Sequence, residues 1–129
     1  MKSDPELDEV GKLFISNFVD KPLDCFHSYV AGTGHAPDLQ AYAEALRKQD
    51  TATIGLMEHA IREALVQGLH DFLFALKQRS EFEKDIYLQV NGKNVVDLSD
   101  GIHSEIFTEA GWFSRFSKYG DISQPYTAG

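Results

Sequence analysis

One segment constrains this chain more than any other: DTATIGLMEHAIREALVQGLHDFLFALKQ, Asp50 to Gln78. It is the most apolar long run in the sequence, and the rest has to pack around it. Its first half is patterned as a helix. Ile54, Met57, Ile61, Ala64 and Leu65 fall on one stripe, with Glu58, Arg62, Glu63 and Gln67 mostly off it. Asp50 or Thr51 is the expected N-cap, and Glu58 with Arg62 is a favourable i,i+4 pair. The second half is ambiguous. A helix crossing Gly68 would bring Leu69, Phe72, Leu73 and Leu76 inward. Gly68 also suits a helix C-terminus, and the compact run FLFAL reads equally as a buried strand.

The next stretch decides how that ambiguity is read. DIYLQVNGKNVVDLS holds two strand-like runs around Asn91-Gly92, a pair suited to a two-residue type I′ turn. An isolated hairpin is marginal in water and wants a third strand. Phe72 to Lys77 is the nearest candidate, joined through the polar loop QRSEFEK. The segment is therefore expected to be a junction. Its first half is the hub of a helical layer, and its second half is the inner strand on which the hairpin builds.

The N-terminal third reads as helices. Asp4 is an expected N-cap with Pro5 at the first helical position, and Leu7, Val10, Leu13 and Phe14 recur at helical spacing to about Asn17. Glu6, Asp8 and Glu9 complement the dipole of that first turn. A second start is expected at Asp20, with Pro22 just inside and Leu23, Phe26, Tyr29 and Val30 facing inward. Gly32 and Gly34 end it. A third helix begins near Pro37, with Leu39, Tyr42, Ala43 and Leu46 inward and Arg47 and Lys48 in its last turn. After the hairpin, Ser99-Asp100-Gly101 is a turn. Trp112, Phe113, Phe116 and Tyr119 fit one face of a short helix from about Glu109 to Lys118, stopped by Gly120. These aromatics are expected to form a satellite core under the sheet. The expected architecture is a single α+β domain over 1–120. About four N-terminal helices pack on a small antiparallel sheet of about three strands, a short C-terminal helix closes the core, and 121–129 is a loosely ordered tail.

Composition bounds the function classes. The net charge is −8, from 20 acids against 12 Lys and Arg. That works against nucleic acid, which needs its phosphates neutralised, and against docking on an anionic membrane. It is compatible with a basic protein partner, because opposite charge steers encounter. Cys25 is the only cysteine, so no disulfide forms within the chain and a reducing cytoplasm is expected. On its helix Cys25 does not face His27, and it is read as a buried structural thiol. The start MKSDPELDEVGKL has acids where a signal peptide needs a basic start and an apolar run, and no apolar stretch is long enough for a membrane span.

The chemistry-bearing residues are five histidines and a group of acids. The dipeptide His70-Asp71 is similar to the signature of metal-dependent phosphohydrolases of the HD type. That resemblance would cast His35 upstream and Asp97 or Asp100 downstream as further ligands on an all-helical scaffold. A hairpin stands where a helix should carry the last ligand, and the chain is short for that fold, so no metal and no cofactor is expected. Asp97, Asp100, His103, Glu105 and Glu109 fall within one stretch and offer an acid–base cluster, without a nucleophile beside a base. Gly32-Thr33-Gly34 lacks the strand before it and the Lys-Ser/Thr after it that a phosphate loop needs. The motif Gly68-Leu69-His70-x-x-Leu73-Phe74 is echoed at Gly101-Ile102-His103-x-x-Ile106-Phe107. Only two copies exist, and the echo is read as chance.

GLHDFLFAL, the Asn91-Gly92 hairpin, DGIHSEIF and GWFSRFSKYG together resemble a family of small uncharacterised bacterial proteins, over about Leu13 to Tyr119. That family has no assigned activity, so the resemblance implies no functional residue. The expected function is protein binding by a small acidic cytoplasmic protein, in its specific form an immunity protein neutralising a basic toxin. Asp97, Asp100, Glu105, Glu109 and Trp112 are the expected partner-binding residues. One alternative is a small metal-dependent or acid–base hydrolase using His70, Asp71, Asp100, His103 and Glu105. Another is a structural homo-oligomer, such as a homodimer, that buries the C-terminal aromatic face.

Overall fold

The computed structural model describes residues 4–33 and 36–127. The chain is mostly helical, with one small antiparallel hairpin and a short C-terminal helix. The N-terminal segment begins as expected. Asp4 accepts hydrogen bonds from the backbone N–H groups of Glu6 and Leu7, and Pro5 opens α1 (Pro5–Phe14). The expected restart at Asp20 does not occur. A π-helical turn (Ile15–Asp20) runs directly into α2 (Lys21–Ala31), and the three pieces form one continuous rod. Pro22 supplies the physical reason. It has no N–H to give to the carbonyl four residues back, and a register change before it absorbs the missing bond. Asp20 makes no cap bond. Gly32 ends α2 in the left-handed conformation at φ 79°. Gly34 and His35, a helix stop and a metal-ligand candidate in the sequence reading, lie outside the described residues.

A single 3₁₀ turn (Pro37–Leu39) leads into α3 (Gln40–Arg47). Asp50 then caps α4 (Thr51–Gln78) by accepting from Thr53 N–H at 2.7 Å. This helix has 28 residues, a length of about 42 Å. The expected inner strand at Phe72–Leu76 is therefore helix, and the sheet keeps only two strands. Gly68 does not stop α4 because the pattern of Leu69, Leu73 and Leu76, all buried, continues the helical period past it. The stop comes later. A π turn (Arg79–Glu83) ends at Lys84 in the left-handed conformation, φ 57°. The hairpin itself is as expected: β1 (Gln89–Val90) and β2 (Lys93–Asn94) are antiparallel, pairing Gln89 with Asn94 and Val90 with Lys93. Asn91 and Gly92 carry φ of 52° and 79°, as a type I′ turn requires. Two residues per strand make no face for helices to pack on.

What the helices pack on instead is the irregular C-terminal third. The main core joins Leu7, Val10, Ile15, Val19 and Leu23 of the rod to Leu69, Leu73 and Leu76 of α4. Val95, Val96, Ile102, Ile106, Trp112, Phe113 and Ile122 complete it. Trp112 and Phe113 open α5 (Trp112–Phe116), which is shorter than expected at both ends. Each fully buried side chain of this size contributes roughly 1.5–3 kcal/mol of transfer free energy. A smaller cluster of Phe26, Tyr29, Ala43 and Leu46 takes partly buried Ile54, Met57 and Ile61 from the first half of α4. The hub is thus the second half of α4, contrary to the sequence reading, and the first half is half-exposed. Ala64, expected in the core stripe, faces outward. Cys25, expected buried, is exposed, because Leu23, Phe26 and Tyr29 define the inward side of α2 and Cys25 lies off it. The expected domain boundary at 121 does not mark the end of packing. Ile122 is buried and Asp121 accepts from Ser123 and Gln124. Among the described residues, no helix is long and apolar enough to cross a membrane.

Candidate functional site

His70 sits on the buried-hub half of α4, and its ring Nδ1 lies 3.0 Å from Asp71 Oδ1. Gln67 Nε2 donates to the same carboxylate oxygen at 2.9 Å. The His70 bond, and then the Gln67 bond, hold the Asp71 carboxyl below the ordinary aspartate value. His103 lies in a 3₁₀ turn (Ile102–Ser104) that packs against the same part of α4. Its ring stands edge-on to that of His70 at 5.5 Å between centroids.

The sequence echo has a structural counterpart here. Leu69 and Ile102 are both buried, as are Leu73 and Ile106. The rings then cross over reciprocally: His103 stands 5.1 Å from Phe74, and His70 stands 6.0 Å from Phe107. Two copies of Gly-aliphatic-His-x-x-aliphatic-Phe pack against each other and leave a four-ring patch at the surface, with Phe74 exposed.

The remaining expected site residues distribute differently. Asp97 is exposed in a separate 3₁₀ turn (Val95–Leu98), and Asp100 and Glu109 are exposed in the loops before and after the 3₁₀ turn that carries His103. Glu105 accepts a hydrogen bond from Ser99 Oγ at 2.5 Å, and that oxygen also accepts from Gly101 N–H, so Glu105 serves the turn. Trp112 is fully buried and offers no surface to a partner. Of the other aromatics expected on that face, Phe113 is also buried, whereas Phe116 and Tyr119 are partly exposed. His70, Asp71 and His103 are thus brought together, whereas Glu105 is engaged in the turn and Asp100 makes no recorded bond to either imidazole. Among the described residues, no group of three or more His, Cys, Asp and Glu side chains is placed to hold a metal ion.

A second polar constellation was not legible in the sequence. His27 of α2 bonds through Nε2 to Glu58 Oε1 of α4, and Arg62 Nε and Nη2 reach Glu58 Oε2 at 3.0 and 2.8 Å. The hydroxyl of Tyr119 donates to Asp24, which also takes Lys118 Nζ at 2.6 Å. His27 Nδ1 lies 3.4 Å from the Tyr119 oxygen. Burial would raise the Glu58 pKa, but the His27 bond and the Arg62 charge outweigh it and hold the carboxyl low. Burial, and then the bond to Asp24, push the Tyr119 hydroxyl up to about 12. Both ring nitrogens of His27 face internal partners, Glu58 and Tyr119, so the network works as a clamp joining α2, α4 and the C-terminal segment. Its members are 31 and 92 residues apart, a separation no local motif reveals.

Beside the clamp runs an open groove of about 600 Å³. Gly55, Glu58, His59 and Arg62 line it from α4, and Ile122 and Tyr126 from the C-terminal segment. His59 and Tyr126 face each other at 5.2 Å between ring centroids.

No family model, no curated protein and no solved structure matches this chain.

Proposed function

We propose that the chain is an acidic protein-binding domain of the cytoplasm whose partner is basic, in its specific form an immunity protein that neutralises a basic toxin. The observation that carries this reading is the four-ring patch of His70, Phe74, His103 and Phe107, with Asp71 bonded to His70, and with exposed Asp100 three residues before His103 and exposed Glu109 two residues after Phe107 along the chain. An apolar patch near acids is what an Arg or Lys side chain docks on. The rings attract the cation by its charge, and the carboxylates steer and orient it. The excess of 20 acids over 12 basic residues extends the same preference over the whole surface.

An arginine-rich peptide titrated into the isotope-labelled chain tests the reading. Resonance shifts should concentrate at His70, Phe74 and His103, weaken as salt is added, and fall in the double variant Asp71→Asn, Asp100→Asn. Shifts scattered over the surface, or none, would overturn it. The immunity form has its own test. A neighbouring reading frame for a toxin with a basic C-terminal domain supports it, and an isolated housekeeping context sinks it.

The Asp71–His70 pair, with His103 beside it, is what favours the second reading, acid–base hydrolysis. A carboxylate fixing one imidazole nitrogen leaves the other for proton transfer. Hydrolysis of a nitrophenyl ester or phosphate that His70→Ala abolishes would carry that reading, and equal rates in both chains would end it.

A further inference from the structure

The four-ring patch lies on the second half of α4, and the groove beside the clamp lies on the first. The groove's volume of about 600 Å³ falls within the range of small-molecule sites, roughly 300–1,000 Å³. Gly55, His59 and Arg62 line it at steps of four and three residues, so each is a surface neighbour of the next. At Gly55 the lining is bare backbone, and nothing lies within 4 Å of a Cβ built there. Across from the helix, the C-terminal segment supplies Ile122, Pro125 and Tyr126, whose ring stands 5.2 Å from that of His59. This part of the lining is flat and mostly apolar.

Arg62 gives the groove a different chemistry one turn further along. Its Nε and Nη2 both reach Glu58 Oε2, at 3.0 and 2.8 Å, and Glu58 Oε1 is taken by His27. Both oxygens of Glu58 are thus bonded, and the carboxylate holds the guanidinium by one edge. The remaining nitrogen, Nη1, makes no bond among the described residues. A guanidinium only donates, and its fork of N–H groups matches the two oxygens of a carboxylate.

We propose that the groove binds a small planar aromatic carboxylate, with its ring against Gly55, His59 and Tyr126 and its carboxylate on the outer edge of Arg62. The bare backbone at Gly55 lets a ring approach the helix closely. His59 and Arg62 are three residues apart, about 4.5 Å along the helix, so a ring with a short acidic arm reaches both. Glu58 is a positioning residue. It touches Arg62 and fixes which edge of the guanidinium is left to donate. The net charge of −8 opposes any anion at long range. A carboxylate without a ring therefore gains too little at Arg62, and a ring without a carboxylate loses the paired bonds. Both halves of the ligand are required.

Titration of phenylacetate into the isotope-labelled full chain tests this. Saturable resonance shifts are expected at Gly55, His59, Arg62 and Tyr126. Acetate and benzyl alcohol, each carrying half of the recognised chemistry, should bind at least about tenfold more weakly. Gly55→Leu fills the groove at an exposed position with no neighbour within 4 Å. It should lower the affinity at least about tenfold without lowering the thermal midpoint, since leucine is the better helix former. Arg62→Gln should bring phenylacetate down to the level of benzyl alcohol. No saturable shift at these residues overturns the proposal. So do shifts centred elsewhere, acetate or benzyl alcohol binding as tightly as phenylacetate, or full affinity in Gly55→Leu. The four-ring patch takes no part, so this proposal and the partner reading fail separately.

Discussion

A Cβ on Gly11 would stand 2.7 Å from Cε2 of the Trp112 indole and 2.8 Å from its Cδ2 and Nε1. Both residues are buried, and the ring of α5 rests on the bare backbone of α1. Glycine inside a helix costs about 1 kcal/mol relative to alanine. Here the closeness of the ring requires it. Gly11→Ala is expected to lose stability by about 1–3 kcal/mol, because overpacking outweighs the gain in helix propensity. Gly55→Ala, where nothing lies within 4 Å, should be neutral or stabilising. Urea denaturation of the two variants separates packing from propensity.

Neighbouring residues at the junction of α4 should respond in opposite ways. Leu73 is fully buried and Phe72 is 47% exposed. Leu73→Ala is expected to cost about 2–5 kcal/mol. Phe72→Ala loses the half-buried ring and its contacts with Phe14 and Phe18, about 1–2 kcal/mol, and should cost less than Leu73→Ala. Chemical denaturation measures both. A strand buried on both faces would make the two substitutions comparably severe.

That pair also shows why the sequence could be read only so far. Rules that act over a few residues were legible. Asp4 and Asp50 cap helices, and Asn91-Gly92 turns the hairpin. FLFAL was not legible, because a short apolar run has the same composition in a buried strand and in a helix with one face inward. What decided it was that Leu69, Leu73 and Leu76 find Ile102 and Ile106 on the far side of the core, a tertiary fact. The π turn before Pro22 has no pattern of its own. His70 and His103 were visible as an echo, and their reciprocal packing needed the fold. The clamp of Asp24, His27, Glu58 and Tyr119 left no trace, since its spacing is set by three elements meeting.

The Glu58 end of that clamp sets an acid limit. His27 and Arg62 hold the Glu58 pKa below its unfolded value against the opposing effect of burial. A depressed folded pKa means the stabilisation is complete above the unfolded carboxylate value and is lost as pH falls through the folded one. Stability from urea titrations should therefore fall as pH drops through and below 4.5, the ordinary glutamate value. Glu58→Gln should start less stable at neutral pH and show a shallower fall over that window. An unchanged slope would place the acid sensitivity on other lowered carboxyls, such as Asp24 and Asp121.

The Tyr119 end sets an alkaline one. Its hydroxyl is raised from 10.0 to about 12, first by burial and then by the bond to Asp24. A raised folded pKa means the proton is held more tightly in the folded chain than in the unfolded one. Its contribution to stability is therefore complete below about 10 and lost as pH rises through about 12. The step in tyrosinate absorbance that Tyr119→Phe removes should lie near 12. Asp24→Asn takes away the negative acceptor and leaves the burial, so it should bring that step down only part of the way towards 10.0. A full return would mean that Asp24 alone raises the hydroxyl. No movement would mean that Tyr119 does not donate to Asp24, and the clamp would have to be drawn without that bond.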